Sequence, residues 1–318
     1  MKDKFKNILS FLVRFGLSAG LIFLLLRKIN FLQVFELIKH SSSHYLALAA
    51  LMFILCHILL FVRWDLILKG LDVHIPLGRL LAAFFVGLFF NLFLPSSAGG
   101  DLARSIDLFS HTPHKAKVVA SVILDRLSGF VSMVLIAGAG LIFGSRFVFD
   151  SSVFITLGLF LFLLGGIILI LFSPKVFAKL SRIFPRLAHK LMSLNEAFVI
   201  FRGRYAVIVA SIFLSVAAQT LFFLVSFFIV RALGQEVRIV YFLILMPLIT
   251  LVASLPVSIG GLGVRDASCV FFFGKIGITS SMALGLSLLN FAFLSGIGLI
   301  GGLIYVLHQW LEPKPKTS

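Results

Sequence analysis

The sequence predicts an all-α polytopic membrane protein, with about six full transmembrane helices plus two re-entrant broken-helix hairpins in an inverted-topology repeat. Three observations carry this reading. Apolar residues form 60% of the 318-residue chain and charged residues 13%, where a soluble domain carries about 25% charged residues. Apolar runs long enough to cross roughly 30 Å of hydrocarbon recur along the whole length. Two shorter apolar runs each end in a proline followed by a glycine pair.

Composition also excludes several classes. With 37 phenylalanines and a mean hydropathy of +1.13, the chain is neither disordered nor a soluble domain. Its two cysteines, Cys56 and Cys269, lie in apolar runs, so it is not a disulfide scaffold. The net charge of +16 would suit a nucleic-acid partner, but the basic residues flank apolar runs. That placement orients a chain in a membrane, and no nucleic-acid partner is expected.

Taken in order, Met1–Leu26 has a basic start (Lys2, Lys4, Lys6) and an apolar run that Arg27 and Lys28 end. No small-residue cleavage site follows, so it reads as a retained signal anchor. Full spans are expected at 8–26, 44–62, 118–143, 153–172, 205–230 and 279–306. Arg14 sits near the end of the first, from where its side chain can snorkel to the interface. Residues 29–40 read as a short interfacial helix. In the linker 173–204, Leu180, Ile183, Phe184, Leu187, Leu191 and Leu194 recur at helical spacing while Lys175, Lys179, Arg182, Arg186 and Lys190 occupy other faces. Such a basic amphipathic helix lies on an anionic membrane surface, and it also connects the two halves.

The shorter runs, 77–94 and 239–255, close on Leu94-Pro95-Ser96-Ser97-Ala98-Gly99-Gly100-Asp101-Leu102-Ala103-Arg104 and Leu255-Pro256-Val257-Ser258-Ile259-Gly260-Gly261-Leu262-Gly263-Val264-Arg265. Both fit LPxSxGGxxxR, with every matched position offset by 161 residues. Shifting the span 118–143 by the same amount nearly reproduces the last span. Residues 1–150 and 151–318 are therefore expected to be two repeats within one membrane domain.

Charge counting sets the topology. If each proline–glycine segment enters and leaves on one side, that side carries 19 lysines and arginines against 7 opposite. The majority side is cytoplasmic by the positive-inside rule, and both termini lie there. Each half then has three full crossings and one hairpin. Because three is odd, the second half is upside down relative to the first. In transporters built from such repeats, broken helices meet near the midplane and present half-helix ends to the substrate. Irregular backbone at that depth is tolerated only in protein or around a wet cavity.

The candidate binding residues cluster at these breaks. Gly99, Gly100, Gly260 and Gly261 can present free N–H groups at a restarting helix to an anion, or they permit only tight turns and close packing. Arg104 and Arg265, about one turn on, carry the fork that grips phosphate oxygens; the bland reading anchors them at interfaces. Asp101, Asp125, Arg126 and Asp266 join them. Six unpaired charges at membrane depth would cost about 15–20 kcal/mol, so mutual pairing around a polar centre is expected. Asp125 and Arg126 could instead mark a helix end, and one carboxylate could carry a coupling proton. Asn91 supports the freed backbone; Ser97 and Ser258 do the same or touch a ligand. The histidines lack metal spacing, and GxxxxGK[ST], GxSxG and HExxH strings are absent. The expectation is no metal, no cofactor, no ATP hydrolysis and no enzymatic activity. Glycine pairs such as Gly140/Gly144 and Gly298/Gly302 read as helix-packing positions.

Asn91-x-x-Leu94-Pro95 with Gly99-Gly100-Asp101-x-x-Arg104, then Asp125-Arg126, then Leu255-Pro256-x-Ser258-x-Gly260-Gly261-x-Gly263-Val264-Arg265-Asp266 resembles the flippase-like integral membrane family related to the transmembrane region of lysylphosphatidylglycerol synthases. The resemblance covers nearly the full chain. It implies a protein of the bacterial or archaeal inner membrane that moves, or helps to move, a lipid or lipid-linked headgroup between leaflets. The family often has Glu at position 266, so a carboxylate is kept. Only Leu311–Ser318 follow Trp310, and lipid aminoacylation by this chain alone is not expected.

The leading expectation is ATP-independent translocation of a phospholipid or lipid-linked phosphate, the headgroup held between Arg104 and Arg265. The alternatives are a carrier or channel for a small anionic solute, or a non-catalytic membrane partner of an envelope-lipid synthase.

Overall fold

The computed structural model describes residues 31–93, 97–143, 151–185, 188–254 and 263–311. Among them it forms twelve helices: α1 (Phe31–Lys39), α2 (Ser43–Gly70), α3 (Leu77–Phe93), α4 (Ser97–Leu108), α5 (Lys115–Phe143), α6 (Ser151–Leu171), α7 (Pro174–Ile183), α8 (Ala188–Arg202), α9 (Tyr205–Ala232), α10 (Ile239–Ser254), α11 (Val264–Gly274) and α12 (Ser280–Leu311). Five are long and apolar enough to cross a membrane: α2, α5, α6, α9 and residues 280–304 of α12. They match five of the expected spans; the sixth, 8–26, lies outside the described residues. At 17 and 16 residues, α3 and α10 reach about 25 Å at 1.5 Å per residue. Each is followed by a shorter helix that packs back against it, α4 on α3 and α11 on α10.

Two pairs of helix starts come close to the 161-residue spacing of the sequence motifs. α2 and α9 are both 28 residues long and begin 162 positions apart (43 and 205); α3 and α10 also begin 162 apart (77 and 239). Packing pairs echo this order. α2 and α9 form the central pair, α12 lies against α3, and α5 lies against α10.

Two boundaries differ from expectation. α2 does not end at residue 62 but runs to Gly70, because nothing between Val62 and Gly70 breaks a helix. Asp72, at φ 56°, then turns the chain. Arg63, just past the end of the expected span 44–62, is therefore a buried helical residue. The linker is two helices rather than one. Phe184 leaves the helical region at ψ 72° because the following Pro185 disfavours α geometry at the residue before it. α7 is anchored by Phe177, whose ring lies 6.1 Å from that of Phe198 on α8.

Apolar residues pack in two large clusters. One joins α5, α6, α9, α10, α11 and α12 around Phe223, Phe242 and Phe273. The other joins α2, α3, α5 and α8 around Trp64, Leu80 and Phe198. The seams between long helices are unequal. α5 packs closely on α9, with Ser128, Gly129 and Ser132 buried on that stretch; a Cβ on Gly129 would stand 3.8 Å from Gln219 Nε2. At the positions 161 residues on, α12 carries Leu289, Asn290 and Phe293. There the Phe53 and Phe293 rings meet at 5.5 Å. An apolar groove of about 630 Å³ separates α2, α3 and α12.

The α12–α3 contact depends on glycine. A Cβ at Gly301 would stand 2.5 Å from the Phe85 carbonyl oxygen, whereas one at Gly296 would meet nothing within 4 Å. Gly301→Ala is expected to destabilise the protein by about 1–3 kcal/mol through overpacking against backbone. Gly296→Ala should be neutral or stabilising by up to about 1 kcal/mol. Thermal unfolding of both variants in detergent checks the pair.

Candidate functional site

The charged residues of the first half converge on Asp125, about 15 Å along α5 from Lys115 at 1.5 Å per residue. Arg63 of α2 donates from Nε to Asp125 Oδ1 at 2.6 Å, and from Nη1 to Ser215 Oγ of α9 at 2.9 Å. Arg104 of α4 donates from Nη2 to Asp125 Oδ2 at 2.9 Å and pairs with Asp101 Oδ1 at 3.0 Å. Arg126 pairs with the other Asp101 oxygen. Beneath Arg104 lies the Trp64 ring, 4.4 Å from the guanidinium carbon. The indole N–H of Trp64 donates to Ser121 Oγ at 3.1 Å. Three helices thus supply one ion network, which α9 braces through Ser215, with Arg63, Arg104 and Asp125 all buried.

Among the described residues three arginines face two aspartates, one more positive than negative charge in a mostly buried site. The Nε of Arg104 is buried and has no hydrogen-bond partner among the described residues. Arg126 is the most accessible member, its side chain 29% exposed.

Backbone proximity allows Arg104 to reach the network. A Cβ at Gly100 would overlap the Gly87 carbonyl oxygen and the Asn91 side chain, and Gly87 leaves room for the Arg104 stem at 3.2 Å. Asn91 Oδ1 accepts the Gly100 N–H at 3.1 Å, satisfying one first-turn donor of α4. At Gly100 the missing side chain therefore serves close helix packing. Ser97 opens α4.

A second constellation forms where α11 meets α12. Gly263 adopts φ 79°, a left-handed conformation suited to glycine, and its N–H donates to Asp266 Oδ2 at 2.9 Å. Arg265 donates from Nη2 to Asp266 Oδ1 at 3.0 Å and from Nε to Ser287 Oγ at 2.8 Å. The Ser287 hydroxyl in turn donates to Asp266. One turn along α12, Asn290 Nδ2 donates to Ser226 Oγ at 3.1 Å, while its buried Oδ1 lacks a partner among the described residues. Arg265 and Asp266 are formally neutral together. Ser258, Gly260 and Gly261 lie outside the described residues.

The structure therefore joins Asp101, Arg104, Asp125 and Arg126 in one network and Arg265 with Asp266 in another, each arginine held by a carboxylate of its own half. Sequence reasoning missed Arg63, Trp64, Ser215 and Ser287. A signal for Arg63 was present: the apolar pattern continues through Leu66, Ile67 and Leu68, so a charge there is interior to a helix.

The profile of the family described as Lysylphosphatidylglycerol synthase TM region matches residues 11–302, most of the chain and both constellations. The chain belongs to this family. It is also similar to a UPF0104 membrane protein of Pyrococcus horikoshii, at 21% identity over 323 residues, covering 93% of this chain and 96% of the relative. A membrane family with five described spanning helices is a multi-pass membrane protein.

Removing Arg63 takes from the buried Asp125 carboxylate and Ser215 hydroxyl the donor that they share. Arg63→Met is expected to cost about 3–5 kcal/mol. Lys69→Met breaks a surface pair with Asp65 and should cost no more than about 1 kcal/mol. Thermal unfolding of the detergent-solubilised variants measures both.

Proposed function

We propose that this protein moves a phospholipid or lipid-linked phosphate across the inner membrane without ATP hydrolysis, as a carrier rather than a bond-making catalyst. The headgroup passes between the Arg104 and Arg265 constellations while the acyl chains stay in the bilayer. The observation that carries this reading is the buried Nε of Arg104, without a hydrogen-bond partner among the described residues, in a network where three described arginines meet two described aspartates. A buried excess cation calls for a counter-anion, and the unfilled Arg104 Nε is a donor for one. The family description, which names a synthase of a phospholipid, supports a lipid as the anion's source.

The helix spacing of 162 residues and the echoing packing pairs support two repeats, 1–150 and 151–318. An inverted pair of repeats offers equivalent half-sites to the two leaflets. The short pairs α3–α4 and α10–α11 serve as the re-entrant elements, and the basic bias of the loops supports cytoplasmic termini.

Proteoliposomes carrying a headgroup-labelled anionic phospholipid test the proposal. Arg126→Gln and Arg265→Gln, in less buried members of the two constellations, should each slow headgroup movement by about tenfold or more. A hydrogen bond to a charged group is worth about 1.5–3 kcal/mol, and about 1.4 kcal/mol is a factor of ten. Lipid movement unaltered in both folded variants would overturn the proposal. So would uptake of soluble phosphate with no lipid movement, the mark of a small-anion carrier.

A further inference from the structure

A second concave site lies away from both constellations, where α8 crosses the start of α5. It encloses about 710 Å³, within the ordinary range of ligand pockets. Its floor is apolar, formed by Phe109, Val119, Leu194, Ala197 and Ile200. Its rim is basic: Lys115 and Lys117 come from α5 and Lys190 from α8, with His114 and His189 beside them. Among the lining residues, Glu196 is the one carboxylate. Three lysines against one glutamate leave a surplus of two positive charges.

The position of the cleft narrows its ligand. α5 crosses the membrane and begins at Lys115, so the cleft stands at the boundary between water and hydrocarbon, the height of lipid headgroups. Inorganic phosphate or a sugar phosphate would meet the lysines but leave the apolar floor wetted. An amphiphile with a negative headgroup satisfies both surfaces. The neighbouring helix α7 adds Lys175, Lys179 and Arg182, the kind of basic cluster drawn to an anionic leaflet.

We infer that this cleft between α5 and α8 is a binding site for an anionic phospholipid, its phosphate among Lys115, Lys117 and Lys190 and its glycerol and upper acyl chain on the apolar floor. The site is distinct from the arginine network and does not depend on translocation.

Site-specific quenching tests it in the full chain. Both native cysteines are buried, so a fluorophore on Met192→Cys, an exposed position beside the cleft, reports locally. The probes are phosphatidylglycerol and phosphatidylcholine with the same acyl chains, each spin-labelled in the upper acyl chain, in mixed micelles. Phosphatidylglycerol should quench saturably, and phosphatidylcholine should need at least ten times the concentration. Combining Lys115→Gln, Lys117→Gln and Lys190→Gln should remove that difference without changing the unfolding temperature measured without lipid. Ser193→Trp, which fills the cleft at constant charge, should abolish saturable quenching. Equal quenching by the two lipids, an unchanged phosphatidylglycerol curve in the triple variant, or full displacement by millimolar inorganic phosphate would each overturn the assignment. Arg126→Gln and Arg265→Gln should leave the curve unchanged, which separates failure here from failure of the translocation proposal.

Discussion

The carboxylate of Asp125, held by two guanidinia, is the interaction around which the first half is organised. An ionised group in hydrocarbon persists only with partners, and its partners come from α2 and α4, with Ser215 of α9 bracing Arg63 from behind. This constraint fixes how deep those helices sit relative to one another. A shift of one residue along any axis would carry a charge away from its counterpart. Glycine at 87 and 100 brings α3 and α4 close enough for Arg104 to join, and Trp64 gives its guanidinium an aromatic bed. Apolar packing fills the remaining volume without dictating such a register, because one leucine contact substitutes for another at little cost.

Much of this architecture was legible in the sequence, and the gaps have physical causes. Five apolar runs became five spanning helices because hydrocarbon thickness sets a length that hydropathy reports directly. The proline–glycine strings marked where α3 gives way to α4 and α10 to α11. Arg63 was misread because a charge at the end of an apolar run looks the same whether it snorkels to water or turns inward. Its partner is 62 residues away in sequence, beyond any local pattern. The split between α7 and α8 was visible in Pro185, but the helical spacing of leucines on either side suggested continuity. That Arg104 engages two carboxylates could not be read from composition; three basic and three acidic residues allow many pairings. Serines 215, 226 and 287 carry no sequence signal, since a serine in an apolar run is as often a packing residue as a hydrogen-bond partner.

The two halves are alike in helix order but unlike in detail. Each has an arginine paired with an aspartate of its own half, yet the first network is larger and, among the described residues, holds more arginines than aspartates, whereas Arg265 and Asp266 balance. The seams differ in the same sense. Small residues at 128, 129 and 132 let α5 close on α9, while leucine, asparagine and phenylalanine at the positions 161 further on go with an opening between α12 and α2. The two halves thus differ where side-chain volume and charge meet at helix contacts.

Pro247 lies buried inside α10. It has no N–H to give the Leu243 carbonyl, so the helix lacks one rung and bends more easily there than along its intact turns. Gly140 of α5 rests against that same stretch, a Cβ there falling 2.7 Å from Ile244 and 3.6 Å from the Leu243 carbonyl carbon. Asp125 is 15 residues back on α5, about 22 Å along a continuous rod. α5 is therefore a lever with a charged grip at one end and a compliant fulcrum at the other. A bend of α10 at Pro247 would bear on α5 near Gly140, the same helix that carries Asp125.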